Sequence, residues 1–329
     1  MNAACNQEDC TVAETGVCLL NNDSATCPNR LPILEMKAPV DIGAELPSPK
    51  KNPSFTRSQT LTPTQTRSLM SKRYCRLVGI LGAPDAGKTA SLVSLYLLVA
   101  RGRLTGFKYA DSQSLMAFDG ISQGARRWNE GKLPDQLTTH TEMADDRNAG
   151  FLHLRLKSDS GDTSDLLLPD LPGEWSTAMV DSKRVERLDF LKRADVVWLM
   201  VDGRQLSEPS TKQWALHRTK LLMQRLADLV SPPPPVILVV TRRDQGEPDE
   251  KTIQVLREEA RKFNLDLDVI MIASFADNTA TAPGAGIAEL IGATTKPTPR
   301  STAFWPSENV AIENDRAIMR FRILGRIDG

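Results

Sequence analysis

The stretch "LVGILGAPDAGKTASLVSLYLL", residues 77–98, decides how the rest of the chain is read. Its apolar opening, within 76–82, has the look of a buried strand. Leu92, Leu95, Tyr96 and Val99 then recur at helical spacing. Between the two lie Gly82, Ala83, Pro84, Asp85, Ala86, Gly87, Lys88 and Thr89, which fit the pattern G-x-x-x-x-G-K-[ST] in its required setting between strand and helix. The glycines let backbone N–H groups turn inward around phosphate oxygens, and the helix N-terminus adds partial positive charge. Lys88 is placed to reach the β- and γ-phosphates of a nucleotide, and the Thr89 hydroxyl to ligate Mg²⁺.

Downstream, short apolar runs alternate with helical patterns. "DVVWLMVDG" (195–203) and "PVILVVTRRD" (235–244) are continuous apolar runs, as expected of strands covered on both faces, and "DVIMIASF" (268–275) is the last of the series. Helical spacing marks Val185, Leu188 and Leu191, then Trp214 to Leu229, then Ile253, Leu256 and Phe263. "FLHLRLK" (151–157) alternates like a half-exposed strand, and "DLLLPD" (165–170) reads as a strand ending in a turn. No helical pattern separates those two, so they are expected to be antiparallel. The fold class is therefore α/β: a mostly parallel sheet with helices on both faces and one antiparallel strand pair.

Two strand ends carry further chemistry. Asp170-Leu-Pro-Gly173-Glu174 puts an acidic side chain at the C-terminal end of a strand, where it can hold Mg²⁺ through water. Gly173, three residues on, can offer its N–H to a γ-phosphate. Thr241-Arg242-Arg243-Asp244 ends the strand before last. A carboxylate at Asp244 can accept from both N1–H and N2–H of guanine, which adenine cannot supply. A ligand that leaves such a buried acceptor unpaired is rejected by several kcal/mol.

In this order and spacing the motifs resemble the P-loop G domain of small GTPases, over about residues 73–295. The resemblance implies GTP/GDP and Mg²⁺ as ligands, with Arg242 standing where the family has Lys; a planar guanidinium can still cover a base. It also implies a guanine-contacting loop at Ala273-Ser274 and a threonine between the first helix and residue 151. Thr138, Thr139 and Thr141 qualify for the latter, with Thr139 preferred. The Cys-bearing N-terminus, "FKYADSQSLMAFDGIS" (107–122) and "DLPGEW" (170–175) are more narrowly similar to the bacterial double-GTPase family of multi-gene conflict systems. That similarity implies a second GTPase or another protein partner and a sensing or signalling role.

Where small GTPases often carry Gln to orient the attacking water, this chain has Glu174. A carboxylate accepts from water but repels developing phosphate charge, so unassisted turnover is expected to be slow. Glu174 is alternatively a surface residue, and Trp175 a core or an interface aromatic. Ala83-Pro84-Asp85 resembles the loop of potassium-activated GTPases, with Asp85 a candidate K⁺ ligand or simply a partner of loop amides. Arg126, Arg127 and Arg147 are alternative sources of positive charge by location. A GTP-locked assembly module and a P-loop ATPase are the competing functions.

The remainder of the chain is organised around this block. Cys5, Cys10, Cys18 and Cys27 fall in the first 27 residues and are a candidate Zn²⁺ set, though without a C-x-x-C knuckle. The expected divisions are a Cys-rich module over 1–30, a disordered linker over 31–71, the GTPase domain over 72–295, and a tail or docking segment over 296–329 that closes with "RAIMRFRILGRIDG". Over 329 residues, Lys plus Arg and Asp plus Glu both number 41, so global charge gives no case for nucleic acid. No apolar run approaches the roughly 20 residues of a bilayer span, and the N-terminus lacks a secretory signal, so a cytoplasmic location is expected.

Overall fold

The structure is a computed structural model describing residues 5–7, 12–15, 17, 18, 20–23, 26–29, 58–126, 149–182, 185–276 and 279–296. The chain divides into two compact units, Met1–Ser54 and Phe55–Gly329. The first contains α1 (Val12–Thr15) and a backbone bond from Asn6 N–H to Asn29 O, 2.9 Å.

The second unit opens with α2 (Pro63–Met70), β1 (Cys75–Gly82), α3 (Lys88–Ala100), β2 (Phe107–Asp111), α4 (Leu115–Ile121) and α5 (Gln123–Arg126). After the undescribed stretch come β3 (Phe151–Ser158), β4 (Thr163–Pro169), α6 (Gly173–Ser182), a 3₁₀ helix over Glu186–Arg193, β5 (Val196–Asp202), α7 (Gly203–Ser207) and α8 (Pro209–Leu229). The order ends with β6 (Val236–Thr241), α9 (Glu250–Lys262), β7 (Leu267–Met271) and α10 (Ile287–Thr295). The strands form one sheet in the order β2-β3-β4-β1-β5-β6-β7. The expected antiparallel pair, β3 with β4, is present, and β3 is antiparallel to β2 as well; every other pairing is parallel.

Strand alternation divides the core in two. Leu77, Leu81, Val197, Leu199, Leu238 and Val240 face one side, where Trp175, Met179, Leu222, Leu226, Ile253 and Leu256 from the helices cover them. Val78, Ile80, Trp198, Met200 and Val239 face the other, against Leu92 and Leu95 of α3, Phe118 of α4, and Leu290 and Ile291 of α10. Each such side chain contributes about 1.5–3 kcal/mol by leaving water. The Trp198 indole N–H is satisfied by Thr294 Oγ1 at 2.9 Å.

Two expectations need correction. The 31–71 linker ends early: Leu61 is buried and bridges Phe151 through paired backbone bonds of 2.7 and 3.0 Å. Thr62 and Gln65 then form a capping box that starts α2. The 151–157 strand is not half-exposed, because helices cover one face and two of its polar alternates, His153 and Arg155, are paired on the other, leaving only Lys157 exposed. His153 is fully buried; its Nδ1 accepts from Gln113 N–H at 2.9 Å, so Nε2 carries the proton donated to Asp165 Oδ1, 2.8 Å away. Burial first, offset by Asp165, holds the His153 pKa below its ordinary value, which keeps the ring neutral. Arg73 Nε, 3.1 Å from Asp165 Oδ1, ties the lead-in to β1 into the same cluster. The closing segment "RAIMRFRILGRIDG" lies outside the described residues.

Candidate nucleotide site

The chain leaves β1 toward β2 through α3 and returns past β1 to β5 through α6, so β1 lies between oppositely directed connections. In an open α/β sheet, ligands bind at the C-terminal ends of the strands at such a switch point. The loop 82–89 occupies that place.

Its geometry follows from residue type. Asp85 takes φ +58° and Gly87 φ +86°, left-handed conformations that bend the backbone into a cup opening onto α3. Lys88 is buried and folds back over the loop, Nζ donating to the carbonyls of Gly82 (3.0 Å) and Ala83 (2.8 Å). Burial lowers its pKa from 10.5 to about 8, opposed by the carboxylates of Asp170, Glu174 and Asp85. Those three anions therefore act on the ammonium that a phosphate would meet. Thr89 Oγ1 donates to Asp170 Oδ1 at 3.0 Å, which brings two hard oxygen donors together at the end of β4. A hydroxyl and a carboxylate in this position fit Mg²⁺.

The D-x-x-G turn lies against the loop. A Cβ on Gly173 would come within 2.5 Å of both Cα and N of Pro84, so the turn's backbone packs directly on the phosphate loop. Glu174 is exposed, and Trp175 is a core residue with the Arg187 guanidinium 5.2 Å from its ring centroid. Ser176, which the motif pattern does not mark, is buried and its Oγ accepts from Gly82 N–H at 3.1 Å.

β6 and β7 bring up the remaining predicted residues. Thr241 Oγ1 lies 3.1 Å from Ala86 O and 3.2 Å from Val201 O, fastening β6 to the loop and to β5. Arg242 sits at φ +52°; its Nη1 donates to Asp85 O at 2.8 Å and pairs with the buried carboxylate of Asp202. Arg204 Nη2 binds the same carboxylate at 2.9 Å. Hydrogen bonding to Asp202 raises the Arg204 pKa against the opposing effect of burial, with the charges of Asp202, Asp244 and Asp85 adding to it. Asp244 is half-buried on the loop after β6, and Arg243 N–H ties that loop to Ile272 O at 3.1 Å. Ala273 is buried. Ser274 follows it, with its carbonyl accepting from Ser94 Oγ of α3 at 3.0 Å.

The structure thus brings together Gly82–Thr89, Asp170, Gly173, Glu174, Thr241, Arg242, Asp244, Ala273 and Ser274. Thr138, Thr139, Thr141, Arg127 and Arg147 lie outside the described residues, as does the Arg126 side chain. Cys5, Cys18 and Cys27 are half-buried and Cys10 lies outside the described residues; among those described, no group of three or more His, Cys, Asp or Glu could hold a metal. Ser176, Asp202 and Arg204 were not expected. Asp202 had a readable signal, since "DVVWLMVDG" ends a strand on an acid just as "DLLLPD" does.

A family model described as Double-GTPase 2 matches residues 76–295, two thirds of the chain, and the chain belongs to that family. Among solved structures, the chain is similar to one titled signal recognition particle receptor SRb-GTP/SRX complex from Chaetomium thermophilum. The identity is 14%, the TM-score 0.39, and the match covers 67% of this chain and 99% of that one. No curated protein matches. Among the described residues, no helix is long and apolar enough to cross a membrane.

Proposed function

We propose that this member of the Double-GTPase 2 family binds GTP and GDP with Mg²⁺, hydrolyses GTP slowly, and signals its nucleotide state to a protein partner, with a second GTPase the favoured one. The reading rests on one juxtaposition: at the C-terminal ends of the strands, the loop after β1 is bonded both to the carboxylate that follows β4 and to Thr241, which ends β6 three residues before Asp244. Loop amides and Lys88 would cradle the phosphates, Gly173 would meet the γ-phosphate, and Asp244 would select guanine. Arg242 and the Ala273-Ser274 backbone would line the base. Bound Mg²⁺, held by Thr89 and Asp170, would offset charge on the β- and γ-oxygens. Glu174, exposed beside Lys88, would stand near the attacking water, where its charge opposes that of the transferring phosphoryl group. Thr139 remains the proposed switch threonine. Asp85 remains a candidate K⁺ ligand, which equal turnover in Na⁺ and K⁺ would exclude. The four-cysteine set remains a proposed Zn²⁺ module, checked by metal analysis of the full chain.

The test is displacement of fluorescent GDP in Mg²⁺. GDP and GTP should compete at least a hundredfold better than ADP and ATP, and equal competition would make the protein a P-loop ATPase. A second reading, a GTP-locked assembly module, is favoured by the close packing of α6 on the phosphate loop. GTP turnover that stays negligible with and without a partner would select it.

A further inference from the structure

We infer that Ser176 is a positioning residue that sets the gap between the phosphate loop and the D-x-x-G turn, and so sets the preference for triphosphate over diphosphate. The inference rests on the reading of Gly173 as the contact to a γ-phosphate.

β1 pairs with β4 only from Cys75 to Leu77; toward its end it pairs with β5 alone, Gly82 opposite Met200. The Gly82 N–H is instead bonded by a side chain 94 positions later, Ser176 Oγ, in a buried contact of 3.1 Å. Ser176 stands three residues after Gly173 on α6, and residues three apart share a helix face. That face touches the loop twice: Gly173 against Ala83 and Pro84, and Ser176 on Gly82. The neighbouring face is fixed independently, since Trp175 and Met179 are buried in the core and Arg187 covers the indole. Those core contacts hold the helix in its seat. The polar bond joins the first residue of the loop to the helix whose first residue is Gly173.

A γ-phosphate fills the space between loop and turn, whereas a diphosphate leaves the turn untouched. Removing the Ser176 acceptor leaves the Gly82 N–H buried and unsatisfied, which the chain relieves by moving the loop away from α6. The turn then meets the γ-phosphate less well, while contacts to the α- and β-phosphates persist. A merely structural hydroxyl would weaken both nucleotides together.

The experiment uses the full chain and isothermal titration with GDP and a non-hydrolysable GTP analogue in Mg²⁺. It compares wild type, Ser176→Ala and Ser176→Thr, the last keeping the acceptor. Ser176→Ala should lower the triphosphate-to-diphosphate affinity ratio by about tenfold, and Ser176→Thr should restore most of it. Hydrogen exchange of a peptide spanning 77–84 should quicken in Ser176→Ala and not in Ser176→Thr, a readout that needs no ligand. An unchanged ratio in Ser176→Ala, or equal losses for both nucleotides, overturns the inference, as does unchanged exchange. If the wild type prefers adenine nucleotides, the guanine reading fails while the same ratio, taken with ADP and an ATP analogue, still decides the role of Ser176. A wild type that binds neither overturns both.

Discussion

At the phosphate end of the site, the bonds begin or end within the loop 82–89: Lys88 Nζ on the carbonyls of Gly82 and Ala83, Ser176 Oγ on Gly82 N–H, and Thr89 Oγ1 on Asp170. At the end proposed for the base, Arg242 and Arg204 come from different strand ends and converge on one carboxylate, Asp202, which is 3% exposed. The phosphate end is thus an array in which a continuous stretch of backbone does most of the holding. The base end is a bridge with a single central pier. Substitutions at the first should change whether a nucleotide binds, and at the second which nucleotide binds and how tightly.

The largest effect is expected from Lys88→Ala. Loss of the ammonium folded over the loop should weaken GDP and GTP alike by about a hundredfold or more, as for charge-assisted bonds to several phosphate oxygens. A titration showing less than tenfold would mean that the loop amides alone carry binding. Asp202→Ala should cost less, about tenfold for both nucleotides, because Arg242 would keep Asp85 O as a partner while losing its carboxylate. The melting temperature should also fall, since a buried carboxylate bonding two guanidiniums and the Arg204 backbone N–H would be gone. If Asp202→Ala changed base preference without changing affinity, the bridge would be orienting Arg242 rather than holding it.

A smaller effect depends on pH. Burial holds the Lys88 ammonium at about 8, below its ordinary 10.5. Between those values the folded chain holds fewer protons than the unfolded one, so this group's contribution to stability rises as pH rises from about 8 to 10.5. A bound polyphosphate favours the charged amine and returns its proton. Nucleotide affinity should therefore fall as pH rises above about 8. Calorimetry at pH ~8.5 in buffers of different ionisation enthalpy should report proton uptake of up to about one per nucleotide. No uptake at that pH would show that the ammonium is already charged before nucleotide binds.

The same contrast explains what the sequence made legible. The phosphate loop is eight consecutive residues whose types have only one common use, and its flanking strand and helix carry clear periodicities. Asp170 and Thr241 are readable because they stand at strand ends, and Gly173 and Asp244 because each follows one of them by three residues. Ser176 and Arg204 were not, since a serine and an arginine inside polar stretches acquire meaning only from partners 94 and two residues away. The β2 edge was the least legible part. "FKYAD" has neither a long apolar run nor strict alternation; it pairs with β3 from Phe107 opposite Ser158 to Asp111 opposite Arg155, and the residues that follow it are tied to β3 at His153. In the sequence that histidine looks like the polar position of a half-exposed strand. Its burial is possible only because Gln113 N–H and Asp165 satisfy both ring nitrogens from distant positions.

The most direct test of guanine selection is a side-by-side titration of wild type and Asp244→Asn with GDP and xanthosine diphosphate. A carboxylate accepts from guanine N1–H and N2–H, whereas an amide can donate to the 2-carbonyl that xanthine has in place of the amino group. Wild type should prefer GDP, and Asp244→Asn should lose GDP by about ten- to a hundredfold while gaining the xanthine nucleotide. Equal GDP affinity in the two proteins would contradict the assignment of Asp244 as the base-selecting residue, and with it the reading of this site as one for guanine nucleotides.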